Sequence, residues 1–431
     1  MNKIKKVIIT GFWGDKTVTL DLKSDVNFLI GVNGSGKTTI INLIAATLNA
    51  DFSTLDRLQF TKISIYLEDS VFEDITKSAF IEVEKSDKAN SPYPNILFKI
   101  KKYTNKNPKE YYLNELEEQQ LIRYPHDYNY LIERRHLGRH TYQGDVNLAL
   151  KELVNVTWLS IHRTNSYARR REEKSFESTI DLKIEELQND LIKYFSTLNR
   201  KYAIETEKFQ KFIFQSLIDT ESQEDTFSFV KNLDANKEKE SLKEIFKLFK
   251  INDKTFNTKL ETYFKSYALS LEKLGTNTIF INDLSFFLGI RRIHSVVQEW
   301  SNLLQKQKEI NVSKDTFLKI INNLLQHKEL MINEKNELVV KTTKNTFSLT
   351  HLSSGEKQLL IILAQSLLQE SSVHIYIADE PELSMHVDWQ EVLVSSLKSI
   401  NPQSQIIFAT HSPDIVGEFD SSIIKVEKMI V

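Results

Sequence analysis

Cysteine is absent from this 431-residue chain, and so are long hydrophobic runs. Without cysteine there is no disulfide bond, no thiol nucleophile and no cysteine-ligated zinc, which is typical of a reducing cytoplasm. No run of about 18 apolar residues occurs, and the N-terminal stretch has no long apolar segment followed by a small-residue cleavage site. We therefore expect an intracellular, cytoplasmic protein with no membrane contact.

Neither sign of charge is in excess. Lysine and arginine number 56 against 58 acidic residues, so the whole chain has no general attraction to DNA or to anionic membranes. Contact with DNA or RNA would need a local patch, and the candidates are ARRREEK (168–174), with Arg163 nearby, and RRIH (291–294). Both segments could equally be solvated helix faces or form ion pairs between subunits.

Proline and glycine are scarce in the middle of the chain. No proline lies between Pro125 and Pro381, which favours long helices because proline is the strongest helix breaker. From about residue 178, apolar residues recur every three or four positions, as in a helix of about three heptads that packs in a bundle or, alternatively, in an extended coiled coil. We predict further helices, separated by short polar links, at 207–219, 239–250, 256–274, 284–309 and 314–328.

The two ends of the chain alternate between strand and helix patterns. Strands are predicted within 4–30 and at 62–69, 79–85, 96–103, 373–378 and 406–410, and helices at 39–48, 356–369 and 388–399. The fold class is therefore α/β, interrupted by a large, mainly helical insert. The expected domains are residues 1–150, the insert 151–334, and residues 335–431.

The segment GVNGSGKT (31–38) has the P-loop spacing and lies between a predicted strand and a predicted helix. In such a loop, backbone N–H groups surround the phosphates, Lys37 adds positive charge and the Thr38 hydroxyl can coordinate Mg²⁺. The candidate nucleotide-binding residues of this loop are Asn33, Gly34, Ser35, Gly36, Lys37, Thr38 and Thr39.

Two other predicted strands end in polar residues. VHIYIADEPE (373–382) delivers Asp379, suited to the Mg²⁺ shell, and Glu380, suited to orienting and deprotonating an attacking water. ATHS (409–412) places His411 directly after the last strand. We predict Glu380 and His411 as the catalytic residues, and Asp379 with Thr38 as the metal ligands.

A second small polar turn, HLSSGEKQ (351–358), precedes a predicted helix. The Ser353 hydroxyl and the Gly355 N–H at a helix start would form an anion site. Because the P-loop already surrounds the phosphates from one side, this site is useful against the nucleotide of another subunit.

GVNGSGKTT, LSSGEKQ, IADEPELSMH and ATHS, in this order, resemble the ATP-binding cassette ATPases, in the branch of SMC-like heads and AAA-type ATPases of bacterial defence. The resemblance covers about residues 1–70 and 335–431. It implies an ATPase head with ATP and Mg²⁺ as cofactors, in a head-to-head dimer or a larger oligomer of dimers. Glu380 would be the base, His411 the switch histidine, and Ser353 and Gly355 would act in trans.

Other positions carry weaker implications of the same resemblance. Gln59 is the nearest candidate for the glutamine that senses Mg²⁺, and LSMH (383–386) would be a dimer-contact loop. Ser354 stands where the family has glycine. Phe12 or Trp13 could stack on adenine, or pack in the core.

Differences from some members of the family limit the branches to which this sequence can be similar. A zinc-hook repair ATPase needs a CxxC motif, which a chain without cysteine lacks. Because only 20 residues follow His411, we expect no Toprim domain after the ATPase. What remains is similar to the stand-alone ATPases of antiphage systems, such as PtuA of Septu and retrons or AriA of PARIS. The resemblance implies a sensor and scaffold that controls a separate nuclease, of the HNH (PtuB-like) or Toprim type. The alternatives are an SMC/RecF-like DNA-repair ATPase and the energy subunit of a transporter.

Overall fold

The computed structural model describes residues 1–68, 78–86, 94–103, 107–113, 143–159, 179–218, 233–251, 254–275 and 281–431. The chain divides into two compact units. The head unit comprises residues 1–192 and 313–431, and the helical unit comprises residues 193–312. Each unit is described by itself.

Strands and helices are numbered in chain order. The strands are β1 (Ile4–Phe12), β2 (Lys16–Asp21), β3 (Val26–Ile30), β4 (Lys62–Leu67), β5 (Phe80–Ser86), β6 (Asn95–Lys101), β7 (Lys109–Leu113), β8 (Val156–Leu159), β9 (Glu329–Ile332), β10 (Leu338–Lys341), β11 (Thr346–Phe347), β12 (Ile375–Asp379), β13 (Gln405–Ala409) and β14 (Ile423–Lys425). The α-helices are α1 (Lys37–Asn49), α2 (Phe52–Arg57), α3 (Gln143–Lys151), α4 (Thr179–Ser216), α5 (Ala235–Leu248), α6 (Lys254–Gly275), α7 (Ile281–Leu324), α8 (Ser354–Leu367), α9 (Val387–Ile400) and α10 (Pro413–Val416). Short 3₁₀ turns lie at Leu349–His351, Asp420–Ser422 and Val426–Lys428.

A six-stranded antiparallel sheet forms one layer of the head unit. Its order is β2-β1-β4-β5-β6-β7, and every neighbouring pair is antiparallel. Ile81 and Val83 of β5 are fully buried, whereas Phe80, Glu82 and Glu84 on either side of them are half-buried. This period-2 alternation is expected of a sheet with one face on the core.

A five-stranded parallel sheet forms a second layer, in the order β14-β3-β13-β12-β8. Strands β3, β12 and β13 are nearly continuously buried, as expected for parallel strands covered on both faces. The carboxyl ends of these three strands lie at one edge and carry the P-loop, Asp379 and His411. The topology therefore brings together motifs that are more than 340 positions apart.

Helix α1 and both sheets contribute to one hydrophobic core. Side chains of α1 are buried along its whole length, including Ile40, Ile44 and Leu48. The core also contains Ile9 of the antiparallel sheet and Ile377 of the parallel sheet. The P-loop is thus fixed at both ends, by a buried strand and by a buried helix.

The helices are longer than the sequence analysis predicted. Helix α4 is continuous over 38 residues, so the separate helix predicted at 207–219 is wrong. Helix α7 is continuous over 44 residues, so the predicted link at 310–313 is also wrong. Neither stretch contains glycine or proline, so no strong helix breaker interrupts either helix.

The helical unit, residues 193–312, has its own core. Phe209 of α4 packs on Trp300 of α7 with ring centroids 5.5 Å apart, and α5 and α6 add Leu242, Ile245 and Phe264. The described helices include none that is long and apolar enough to cross a membrane.

The helical unit covers fewer residues, 193–312, than the predicted insert, 151–334. Strand β8 pairs with β12 in the parallel sheet, and β9, β10 and β11 form a three-stranded sheet within the head unit. Sequence reasoning missed β8 because it is only four residues long and has no turn signal around it.

Candidate nucleotide-binding site

The P-loop occupies the turn between β3 and α1. Gly34 and Gly36 have positive φ angles of 81° and 94°, a conformation that other residues rarely adopt. A Cβ atom on Gly36 would also lie 3.0 Å from the Phe12 ring and 3.1 Å from Trp13. Glycine at position 36 therefore allows both the turn and its close approach to the β1–β2 turn.

The Lys37 ammonium points back across the loop and is 5% exposed as a residue. Its Nζ donates to the Gly31 carbonyl oxygen at 2.9 Å and lies 2.7 Å from His411 Nε2. A lysine ammonium can only donate, so Nε2 is the acceptor in this contact. Two residues predicted independently from the sequence are thus in direct contact.

Thr38 and Asp379 lie together at the ends of α1 and β12. The Thr38 hydroxyl donates to Asp379 Oδ1 at 3.1 Å. Hydroxyl and carboxylate oxygens suit Mg²⁺, which usually takes one or two carboxylates and completes its shell with water and phosphate oxygens. No cluster of three or more acidic or histidine side chains that could hold a metal occurs among the described residues. The Thr38–Asp379 pair fits a magnesium that is shared with a nucleotide.

Glu380 follows β12 in a left-handed conformation, with φ at 48°. Its N–H donates to the Ala409 carbonyl oxygen at 2.8 Å, and its Oε1 lies 3.5 Å from His411 Nε2. Burial raises the pKa of the Glu380 carboxyl to about 7, and the nearby carboxylates of Glu382 and Asp379 act in the same direction. A carboxylate of this pKa is suited to accepting a proton near neutral pH.

Glu382 contributes to the site but was not singled out by sequence reasoning. It is 7% exposed and accepts hydrogen bonds from the Thr410 hydroxyl and from the N–H groups of His411 and Ser412. The only sequence signal was a further acidic residue in DEPE, and nothing in that pattern indicated where its side chain would point.

Glu427 is a second residue that the sequence analysis missed. Its Oε1 accepts from the Val32 N–H at 2.6 Å, at the start of the P-loop. The Val32 N–H bond is the main cause that holds the pKa of Glu427 below its usual value, and Lys37 acts in the same direction. Because 395 positions separate Val32 from Glu427, no local pattern could have joined them.

The HLSSGEKQ segment starts helix α8. Ser353 caps the helix: its hydroxyl oxygen accepts from the Glu356 N–H at 3.3 Å, and Glu356 Oε2 accepts from the Ser353 N–H at 2.8 Å. Lys328 donates to both oxygens of Glu356, at 2.8 and 2.9 Å. The capping geometry leaves the hydrogen of the Ser353 hydroxyl free to donate elsewhere.

Gly355 is the point of closest approach between α8 and the LSMH loop. A Cβ atom there would lie 2.5 Å from the Ser384 carbonyl oxygen. Ser354, in contrast, is exposed, which explains why a side chain is tolerated where the family has glycine.

The remaining predicted residues of the site have different environments. Asn33 is exposed, Ser35 is buried with no hydrogen bond from its Oγ among the described residues, and Thr39 is half-buried in the first turn of α1. Gln59 is exposed, and its Nε2 would lie 3.6 Å from a Cβ atom on Gly14. This position is beside the β1–β2 turn, so Gln59 as a magnesium sensor stays a prediction.

The two aromatic residues of the β1–β2 turn differ in exposure. Phe12 is fully buried, whereas Trp13 is 41% exposed, and their ring centroids are 4.6 Å apart. Of the two, Trp13 is the partly exposed ring beside the P-loop, and the Lys16 ammonium lies 5.9 Å from its centroid. Phe12 has the core role.

The basic segments give little support to nucleic-acid contact. ARRREEK and Arg163 lie outside the described residues. In RRIH, His294 Nδ1 lies 2.6 Å from Oε1 of the buried Glu238, inside the helical unit. That histidine faces inward.

A glycine loop between a buried parallel strand and a helix, with carboxylates at the end of a neighbouring parallel strand, defines a nucleotide-binding fold of the P-loop class. The chain belongs to the AAA ATPase domain family, whose model matches residues 2–416. The α/β head interrupted by a mainly helical region, predicted from the sequence, is confirmed.

Two curated relatives are similar over part of the chain. The Retron Vc95 probable ATPase of Vibrio cholerae serotype O1 biovar El Tor is 27% identical over 252 residues, which is 56% of this chain and 44% of the relative. The Retron Ec83 probable ATPase of Escherichia coli is 31% identical over 96 residues, 20% of this chain and 18% of the relative. The chain thus matches less than half the length of either relative.

The solved structures that are similar to this chain include SMC heads. The Smc head domain of Pyrococcus furiosus, with an extended coiled coil and bound to the C-terminal domain of ScpA, is 14% identical, with a TM-score of 0.42. The match covers 96% of this chain and 91% of that one. The Smc head of Pyrococcus yayanosii, with a coiled coil and joint, is 14% identical with a TM-score of 0.40, over 96% of this chain and 93% of that one.

Proposed function

We propose that this protein binds ATP with Mg²⁺, hydrolyses it to ADP and phosphate, and through this cycle controls a separate nuclease in an antiphage complex. The observation that carries the enzymatic part is the contact of three motifs: Lys37 Nζ lies 2.7 Å and Glu380 Oε1 lies 3.5 Å from the same nitrogen of His411. Membership of the AAA ATPase domain family supports the same reaction.

Each residue of the site has a role in this proposal. The backbone N–H groups of the P-loop and the Lys37 ammonium bind the phosphates, and Thr38 with Asp379 holds Mg²⁺, which neutralises phosphate charge when bound. Glu380 orients a water and accepts its proton, for which its raised pKa is suited. His411, at the same edge of the sheet, orients groups on the γ-phosphate side.

We further propose that the complete site forms between two subunits, with Ser353 and Gly355 acting on the partner's nucleotide. In the described part of the chain, the hydrogen bonds of Ser353 go to Glu356 of its own helix and not to the P-loop. Exposed apolar side chains flank the motifs: Val32 in the P-loop is 69% exposed, and Leu383 and Val387, around the LSMH loop, are 43% and 48% exposed. Apolar exposure at these points supports a contact surface between heads.

The proposed defence role is supported by the curated relatives and by the resemblance of the motifs to those of antiphage ATPases. Both curated relatives are named as probable ATPases of retrons. We infer a cytoplasmic complex with an HNH (PtuB-like) or Toprim-like nuclease, in which the ATPase is the sensor and scaffold. The test is purification of the chain with the proteins encoded beside its gene: a nuclease in the complex supports this role. ATP hydrolysis that is stimulated by DNA, with no such partner, would instead support the DNA-repair alternative.

A mixing experiment tests the shared site. Ser353→Arg leaves the P-loop intact and blocks the signature turn, whereas Lys37→Ala disables the P-loop and keeps the signature. Each variant alone should hydrolyse little ATP, and a mixture should regain activity because the heterodimer holds one complete site. Full activity in Ser353→Arg alone, or in a protein that stays monomeric with ATP, would refute the shared site.

A further inference from the structure

Glu382 connects the ends of two neighbouring parallel strands. It lies three positions after the last residue of β12, and its Oε1 accepts three hydrogen bonds from the segment after β13. The donors are the Thr410 hydroxyl, the His411 N–H at 3.1 Å and the Ser412 N–H at 3.3 Å. One buried oxygen therefore holds the backbone on both sides of the His411 side chain.

The surroundings make this segment depend on Glu382. The Thr410 N–H donates to the Leu29 carbonyl oxygen at 3.2 Å, and the Ser412 hydroxyl donates to Gln390 at 2.7 Å, so the flanking residues have anchors of their own. Among the described residues, the His411 N–H donates only to Glu382. Since a side chain on a short turn is aimed by its own backbone, this bond sets the direction of the imidazole.

Burial of the Glu382 carboxylate destabilises the fold, and hydrophobic packing alone does not explain why a carboxylate is present at this position. Its Oε2 is buried and has no hydrogen-bond partner among the described residues. A buried carboxylate with one unsatisfied oxygen is destabilising, and an uncharged side chain would avoid that cost. What the carboxylate adds is a strong, charge-assisted acceptor for the backbone N–H groups.

We propose that Glu382 is a positioning residue for ATP hydrolysis, which holds the backbone of His411 so that its Nε2 faces both Lys37 and Glu380. The inference rests on the proposed function, because it assigns Glu382 an indirect role in that reaction. Among the described residues Glu382 bonds to Thr410, His411 and Ser412 and not to the P-loop, so we expect its effect on turnover and not on nucleotide affinity.

Steady-state kinetics of paired variants test the role. Glu382→Ala removes the acceptor, and kcat should fall about 10- to 100-fold, the usual effect of a misplacement of about 1 Å in an active site. The KM for ATP, and binding of a fluorescent ATP analogue, should stay within about 3-fold, because the described P-loop contacts do not involve Glu382. Glu382→Gln keeps an acceptor of the same shape but without the charge, so its kcat should lie between that of the wild type and that of Glu382→Ala.

Two further variants sharpen the comparison. Thr410→Val removes one donor to the same oxygen and should lower kcat by a smaller factor, less than additively with Glu382→Ala. Glu391→Ala removes an exposed carboxylate from α9 and should leave all parameters unchanged. Wild-type kcat in Glu382→Ala, or equal loss in Glu382→Gln and Glu382→Ala, would overturn the positioning role.

Hydrogen exchange of the nucleotide-free protein gives a readout that does not need activity. The amides of His411 and Ser412 should be protected in the wild type and in Glu382→Gln, and should exchange about 10-fold faster or more in Glu382→Ala. Unchanged exchange in Glu382→Ala would overturn the inference even if ATP hydrolysis is confirmed. A wild type without ATPase activity would overturn the proposed function while this exchange measurement still tests the anchor.

Discussion

Replacing Gly355 with alanine should disturb the signature turn without touching the P-loop. The added Cβ would lie 2.5 Å from the Ser384 carbonyl oxygen, whereas ordinary contacts of this kind begin at 3.4 Å. Helix α8 and the LSMH loop must therefore move apart by roughly 0.9 Å, because packed backbone atoms cannot overlap.

The size of the effect follows from that displacement. Overpacking of this kind lowers the free energy of unfolding by about 1–3 kcal/mol. Each kcal/mol lowers the melting temperature by about 2–4 °C in a unit of 150–250 residues, and by somewhat less in this larger head unit. A shift close to 1 Å in a catalytic turn costs up to about 100-fold in turnover. We expect Gly355→Ala to lower kcat by about 10- to 100-fold while the affinity for ATP stays within about 3-fold.

Ser354→Ala is the matched control, since it changes the neighbouring position in the same helical turn, where the side chain is exposed. It should leave melting temperature and kcat close to wild type. The assay is differential scanning fluorimetry together with ATP turnover at saturating ATP. A Gly355→Ala protein with wild-type melting and turnover would refute the argument, because it would mean that the loop relaxes at no cost.

Three further predictions concern binding and stability. Lys37→Ala should weaken ATP binding by about 10-fold or more in calorimetry, because charge-assisted hydrogen bonds of about 1.5–3 kcal/mol are lost. Trp13→Ala should weaken ATP by about 5- to 150-fold but leave tripolyphosphate binding unchanged, if its exposed face stacks on the base with about 1–3 kcal/mol; equal loss for both ligands would exclude stacking. Lys328→Met should lower the melting temperature at pH 8. Burial alone would raise the pKa of Glu356, but hydrogen bonds from Lys328 and Ser353 hold it below its usual value of 4.5. The Lys328–Glu356 ion pair therefore stabilises the fold above that pH. The decrease in melting temperature caused by Lys328→Met should become smaller as the pH falls below 4.5.

Sequence patterns predicted the parts of the fold that are locally encoded. The apolar runs of β3, β12 and β13 predict buried strands, and the loops that follow them contain the nucleotide-binding motifs. Both the strands and the motifs could therefore be predicted from the sequence. The contact of Lys37 with His411, 374 positions apart, was foreseeable only in outline: parallel strands share a carboxyl edge, but the pattern does not give their order.

Other features are set by tertiary packing, which no local pattern reports. In the sequence, Glu382 and Glu427 look like ordinary acidic surface residues. The orientation of their side chains depends on hydrogen-bond partners 28 and 395 positions away. Gly355 appeared as an anion-binding position, whereas its neighbour Ser384 shows that the backbone also needs its small size. The joins within α4 and α7 were missed because a short stretch without clear apolar periodicity looks the same in a link and inside an unbroken helix.

The most direct test of the account is ATP turnover by Glu380→Gln beside wild type, with nucleotide binding and mass measured on the same samples. Glutamine keeps the shape of the side chain but cannot accept the proton from water, so hydrolysis should fall by about 10²- to 10⁴-fold. The variant should still bind ATP, and it should accumulate as an ATP-bound dimer. A Glu380→Gln protein that hydrolyses ATP at the wild-type rate would contradict the assignment of Glu380 as the base, and with it the proposed mechanism.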